Sequence, residues 1–156
     1  MTARAIALVS PAETCSLARR LAPRLGPGDT LLLSGGVGAG KTHFARCLIQ
    51  SILSVPEDVP SPTYTLVQTY PGPRAEIWHA DLYRLTDPME LVELGLTEAF
   101  VTAICLVEWP DRLADLAPAS ALSLDLAHGD TDEARRLTLR WSDPRWATRL
   151  EGILDG

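Results

Sequence analysis

The stretch Gly35-Gly36-Val37-Gly38-Ala39-Gly40 holds four glycines in six residues and cannot be the interior of a helix or a strand. It is preceded by Thr30 to Ser34 (TLLLS), an apolar run bounded by turn residues, the pattern of a strand covered on both faces in a parallel sheet. Lys41 to Leu53 follows, with Phe44, Cys47, Leu48 and Ile52 at helical spacing. Strand, glycine loop and helix together are the context in which G-x-x-x-x-G-K-[ST], here Gly35 to Thr42, acts as a phosphate cradle. Its glycines let backbone amides turn inward, and the helix N-terminus adds its dipole. Lys41 is expected to bridge the β and γ phosphates and Thr42 to ligate magnesium. Gly36, Val37, Gly38, Ala39, Gly40, Lys41 and Thr42 are therefore candidate nucleotide ligands, with His43 at the nucleotide edge.

The chain carries 14 basic and 20 acidic residues in 156, a net charge of −6. An acidic surface without basic runs argues against a wide nucleic-acid footprint, so no strong direct tRNA binding is expected. Of the 14 basic residues, Lys41 is the single lysine, and Asn is absent. Guanine-specific cradles use an Asn-Lys-x-Asp element, which this chain cannot contain, so ATP is favoured over GTP. Cys15, Cys47 and Cys105 are odd in number, far apart and in apolar stretches, which suggests neither a disulfide framework nor a zinc site. A reducing, cytoplasmic location fits. No apolar stretch reaches the roughly 18 residues of a membrane span.

Elsewhere, Ala5 to Val9 reads as a strand, and Ser10-Pro11-Ala12-Glu13 opens a helix with a capping Ser and an acid three residues on. Thr63 to Tyr70 and Glu76 to Leu82 read as a hairpin, Asp87 opens a helical stretch to Phe100, and Ala103 to Glu108 is another buried strand. Ala121 to Ala127 and Leu137 to Trp141 suit a second hairpin, and Asp143-Pro144 opens a last helix of about three turns. The pattern predicts one domain over residues 1–156: an α/β P-loop NTPase-like sandwich, with a mainly parallel central sheet, antiparallel marginal strands and helices on both faces.

Two acids close predicted strands: Asp81 after Ile77 to Ala80, and Glu108 after Ile104 to Val107. Magnesium in phosphoryl-transfer sites is held by one or two carboxylates, and a nucleophilic water must be oriented. Asp81 and Glu108 can divide those tasks. Ser61, Thr63 and Thr65 lie where P-loop proteins often keep a switch-like loop sensing the γ phosphate. His79 and His128 read as structural, and Trp109, next to Glu108, as a border of the site.

Four segments in this order, GAGKTHFAR (Gly38 to Arg46), SPTYTLV (Ser61 to Val67), HADLYRL (His79 to Leu85) and ICLVEWPDR (Ile104 to Arg112), resemble the bacterial TsaE family, also called YjeE or YdiB. The resemblance runs from about Ile6 to Trp141. It implies a P-loop ATPase, weak alone and promoted by a TsaD–TsaB complex. That complex transfers a threonylcarbamoyl group, made as an adenylate by TsaC, to the adenosine beside the anticodon of tRNAs reading A-starting codons. Hydrolysis is implied to reset the complex between turnovers. Carried over, the phosphate loop falls on Gly38 to Thr42, the magnesium ligands on Thr42 and Glu108, the Walker B-like acid on Asp81, and the switch-like loop on Ser61 to Thr65. Asp81 is also a candidate metal ligand, and Lys41, Asp81 and Glu108 are the catalytic set. Further nucleotide contacts are implied around Pro11 to Thr14 and at Asp132 to Arg135, with Arg135 named. His43 departs from the small hydroxyl residue usual there. Two other readings stand beside this one: a small-molecule kinase, although the candidate lid Leu85 to Thr102 contains no Arg or Lys, and a nucleotide-gated binding module with incidental hydrolysis.

Overall fold

The computed structural model describes residues 1–53 and 55–154. Its frame is a seven-stranded sheet of β1 (Thr2–Leu8), β2 (Thr30–Gly35), β3 (Val67–Tyr70), β4 (Ile77–Asp81), β5 (Ile104–Glu108), β6 (Leu122–His128) and β7 (Arg135–Trp141), in the order β1-β7-β6-β2-β5-β4-β3. Strands β6, β2, β5 and β4 pair in parallel. At the margins β7 pairs antiparallel with β6 and β1, and β3 with β4. All five residues of β5 are buried, as expected of a strand covered on both faces.

Alternate residues supply two separate cores. Leu31, Leu33, Ile104 and Leu106 point to one face, against α1 (Pro11–Leu21) and α2 (Lys41–Ile52) through Leu17, Leu21, Phe44 and Leu48. Leu32, Cys105 and Val107 point to the other, against α3 (Met89–Leu94) and α4 (Leu96–Thr102) through Leu91, Leu96 and Phe100. Helix α1 starts where the sequence places it: Ser10 Oγ accepts from the Glu13 amide at 3.3 Å, and Glu13 Oε1 accepts from the Val9 amide at 3.2 Å.

Four local expectations are corrected. Thr63 to Leu66 is turn, not strand: Leu66 sits at φ 67°, its amide donates to the Pro62 carbonyl at 2.8 Å, and strand pairing begins at Val67. The stretch from Asp87 to Phe100 is two helices rather than one, because Gly95 at φ 88° ends α3 and begins α4. The last helix, α5 (Arg145–Arg149), has five residues instead of three turns. Finally, Cys15 and Cys47 form a disulfide, with Cα atoms 5.3 Å apart across a separation of 32 residues. The distance in sequence hid a pairing that the side-by-side packing of α1 and α2 creates. Cys105 is left as a buried thiol, pushed up to about 12 by burial.

Candidate functional site

Strand β2 ends at Gly35, where φ is 139° and a Cβ would collide with the Leu126 carbonyl of neighbouring β6. The chain then loops through Gly36 to Gly40 and enters α2 from Gly40 at φ 107°, a left-handed cap that glycine adopts without strain. The loop lies at the carboxyl ends of the parallel strands, where open α/β sheets place their ligands.

Lys41, the first residue of α2, is 5% exposed. Its ammonium donates to the carbonyls of Gly35 at 2.6 Å and Gly36 at 2.8 Å, and lies 4.1 Å from the centroid of the Trp109 ring. Burial lowers the Lys41 pKa from its ordinary value, while the charges of Glu108 and Asp81 pull it back up. Trp109 reaches this position through a left-handed backbone, φ 59°, directly after the end of β5, and its ring packs against Tyr83 with centroids 5.0 Å apart. A non-glycine residue held there stores backbone strain, which concentrates at working sites.

Thr42 donates its hydroxyl to Glu108 Oε1 at 2.7 Å, so the second helical residue and the last residue of β5 meet across the loop. Strand register places Asp81 directly beside Glu108. Asp81 Oδ2 accepts from the hydroxyls of Ser61 and Thr63, both at 3.2 Å, and those two hydroxyls lie 2.8 Å from each other. Oδ1 of the same carboxylate accepts from the Tyr83 amide at 3.1 Å. Both acids are buried, Glu108 to 1% and Asp81 to 5% exposure.

These side chains wall a cleft of about 460 Å³, lined by Val37, Gly38, Gly40, Lys41, Thr42, His43, Ser61, Thr63, Asp81, Tyr83, Glu108 and Trp109. Several candidates stand outside that lining. Gly36 and Ala39 close the loop on itself, the Ala39 amide donating to the Gly36 carbonyl at 3.1 Å. Thr65 accepts from Gln68 at 3.1 Å instead of joining Ser61 and Thr63 at Asp81. Pro11 is tied to the loop helix by its carbonyl, 3.0 Å from His43 Nε2, whereas Thr14 is buried with its hydroxyl directed to the Ser10 carbonyl. Arg135 on β7 clamps the loop from outside, donating to the carbonyls of Ala39 at 3.0 Å and Gly38 at 3.2 Å.

One lining residue, Tyr83, and one residue behind the lining, His79, are not among the contacts expected from the sequence. His79 is fully buried, and its Nε2 is 2.6 Å from Glu108 Oε2. The signal was present, since His79 precedes Asp81 by two residues and alternate residues of a strand share a face.

The donor set fits a hard cation. Among the described residues no three His, Cys, Asp or Glu side chains gather as a ligand cluster. A hydroxyl and one or two carboxylates leave the remaining coordination to phosphate oxygens and water, as Mg²⁺ prefers.

A glycine loop between a central parallel strand and a helix, with Lys41 and Thr42 on its far side and two strand-end acids facing it, defines a P-loop α/β protein. Comparison with known proteins narrows the class. The family model described as "Threonylcarbamoyl adenosine biosynthesis protein TsaE" matches residues 8–137. Relatives named tRNA threonylcarbamoyladenosine biosynthesis protein TsaE include one from Rickettsia bellii, 39% identical over 81% of this chain and 88% of its own. One from Streptomyces coelicolor is 37% identical over 90% and 98%. A crystal structure of Bacillus subtilis YdiB superposes with a TM-score of 0.81 at 27% identity, covering 97% of this chain and 94% of that one. The chain belongs to the TsaE family. Among the described residues no helix is long and apolar enough to cross a membrane.

Proposed function

We propose that the chain binds Mg-ATP in this cleft and hydrolyses it in support of a TsaB–TsaD complex that forms threonylcarbamoyladenosine beside the anticodon of tRNAs. The observation that carries the reading is the meeting of Thr42 with Glu108 at 2.7 Å while Lys41 stands at the loop's mouth, its ammonium on two backbone carbonyls. Those carbonyl bonds are exchanged for β and γ phosphate oxygens when a triphosphate enters, which places the positive charge where negative charge accumulates. Thr42, Glu108 and Asp81 are the residues that would hold magnesium, which supplies charge neutralisation between the phosphates.

Within the chain, the glycine-loop amides orient the phosphates, and Trp109 with Tyr83 walls the cleft against water. Ser61 and Thr63 tie a turn to Asp81, so the carboxylate is fixed before any ligand arrives. A water attacking the γ phosphorus needs its proton accepted and its lone pair aimed. Asp81 and Glu108 are the carboxylates within the cleft for that task. None of the lining residues comes from 85–102, which favours a hydrolase over a kinase with a basic lid. The name the relatives share, tRNA threonylcarbamoyladenosine biosynthesis protein, supports the pathway.

The test is a steady-state ATPase assay with and without TsaB and TsaD, using wild type and Lys41→Ala. Wild-type turnover is expected to rise with the partners. Lys41→Ala is expected to lose at least about 100-fold in Mg-ATP affinity, following the usual cost of losing a phosphate-clamping charge. Unchanged affinity in that variant removes the cradle assignment, and no response to the partners removes the coupling.

A further inference from the structure

We propose that His79 is a positioning residue that locks the Glu108 carboxylate with one oxygen turned to Thr42, and so sets the divalent-cation affinity of the nucleotide site. The inference rests on the reading of the cleft as a Mg-nucleotide site.

The two oxygens of Glu108 have different partners. Oε1 accepts from the Thr42 hydroxyl at 2.7 Å, on the cleft side. Oε2 faces His79 Nε2 at 2.6 Å, on the dry side, where both side chains are shielded from solvent. An ionised carboxylate only accepts, so Nε2 carries the proton and donates. His79 Nδ1 has no partner among the described residues. With no second hydrogen bond made, the imidazole is oriented by Glu108 and by packing alone.

The sheet makes the contact rigid. His79 and Asp81 share a face of β4, and the register pairs Asp81 with Glu108 and His79 with Leu106 on β5. His79 therefore sits one residue pair behind the two acids, beneath them on the α2 face. Turning Glu108 to offer both oxygens to a cation would strip Oε2 of its donor in a place water does not reach. The carboxylate is thus held for one-oxygen coordination. Mg²⁺, which demands near-octahedral geometry, would take one oxygen from Glu108 beside Thr42 more readily than two. Partners of this kind behind a metal ligand usually change metal affinity by about 10- to 100-fold when removed.

The experiment is isothermal titration of ADP and of a non-hydrolysable ATP analogue into wild type, His79→Leu and His79→Gln, each with EDTA and across a Mg²⁺ series, with melting temperatures recorded alongside. His79→Leu is expected to keep metal-free nucleotide affinity within about twofold while raising half-saturating Mg²⁺ about 10-fold or more. His79→Gln, whose amide N–H lies near the position of Nε2, is expected to restore most of that loss. If His79→Leu does not fold, His79→Asn takes its place, since its shorter amide stops near the Nδ1 position and cannot reach Oε2.

Wild-type Mg²⁺ dependence in His79→Leu overturns the proposal. So does an equal loss in His79→Gln, or a loss of metal-free affinity as large as the metal-dependent one, either of which makes His79 a packing residue. A wild-type protein that binds neither nucleotide under any condition, or binds them with no Mg²⁺ dependence, overturns instead the reading of the cleft.

Discussion

Two ends of the same sheet bury carboxylates in opposite ways. At the entrance to β2, Asp29 is fully buried and fully answered: Arg145 lies 3.2 Å from Oδ1, Arg149 pairs with Oδ2, and the Gly26 amide donates to Oδ2 at 2.8 Å. At the exit of the central strands, Glu108 and Asp81 are nearly as buried, yet among the described residues no Arg or Lys forms an ion pair with either. Their partners are hydroxyls, an imidazole and a backbone amide. The lone lysine nearby spends its ammonium on carbonyls. A buried acid with its cations built in fastens α5 to the sheet. An acid pair with no arginine or lysine bound to it keeps its charge available for a cation that arrives with a ligand.

The sharpest way to break this contrast is to neutralise one acid at each end. Asp29→Asn removes the anion shared by Arg145 and Arg149, of which, among the described residues, Arg145 alone keeps another, Asp143, and is expected to cost about 3 kcal/mol of unfolding free energy, read from urea denaturation. Nucleotide affinity in that variant stays within about twofold of wild type. A stability loss below about 1 kcal/mol would mean that Asp29 does not fasten α5. Glu108→Gln keeps an acceptor for Thr42 and removes a buried charge that, among the described residues, has no ion pair with an Arg or Lys, only the field of nearby Lys41 and the His79 imidazole on its other oxygen. Its stability is expected to fall by less than that of Asp29→Asn, while single-turnover hydrolysis falls about 100-fold, equivalent to about 2.7 kcal/mol. If Glu108→Gln destabilises as much as Asp29→Asn, the two ends are alike and the contrast is lost.

Much of the exit end was legible, and the reason is covalent proximity. Gly35 to Thr42 carry loop, cap, lysine and hydroxyl in eight consecutive residues, and Asp81 and Glu108 each close a run whose strand character is plain from composition. The fold followed from the same runs, because β2 and β5 read as strands buried on both faces. What stayed hidden depends on pairing between distant segments. His79 meets Glu108 only because β4 and β5 are neighbours in a particular register. Cys15 meets Cys47 only because α1 and α2 lie together, and Asp29 meets Arg145 and Arg149 across more than a hundred residues. The short α5 was overestimated because Arg145 to Arg149 has helical composition, but Gly152 follows at φ 75°. The disulfide has a simple check. Alkylation of the denatured, unreduced chain is expected to label one cysteine, Cys105, and reduction first is expected to expose all three.

The smallest expected effect refines the fastened end. Asp143 Oδ1 accepts from the Arg145 amide at 2.9 Å and lies 3.2 Å from Arg145 Nε, so it stands beside the arginine that also serves Asp29. The backbone bond from Arg145 is the first cause that holds the Asp143 carboxyl below its ordinary value of 3.8, and the guanidinium adds to it. A carboxyl with a lowered native pKa binds fewer protons in the folded than in the unfolded chain near that value. Its contribution is therefore present above 3.8 and disappears as the pH falls through the native pKa. Asp143→Asn keeps the acceptor for the amide and removes only the charge. Melting curves at pH 7 are expected to place the variant about 1 °C below wild type, as an exposed pair allows. Once the pH is below the native pKa the two curves converge, because the wild-type carboxyl is then as neutral as the amide. A gap that persists in acid would assign the effect to the shape of the turn, leaving Asp29 as the one acid whose charge fastens α5.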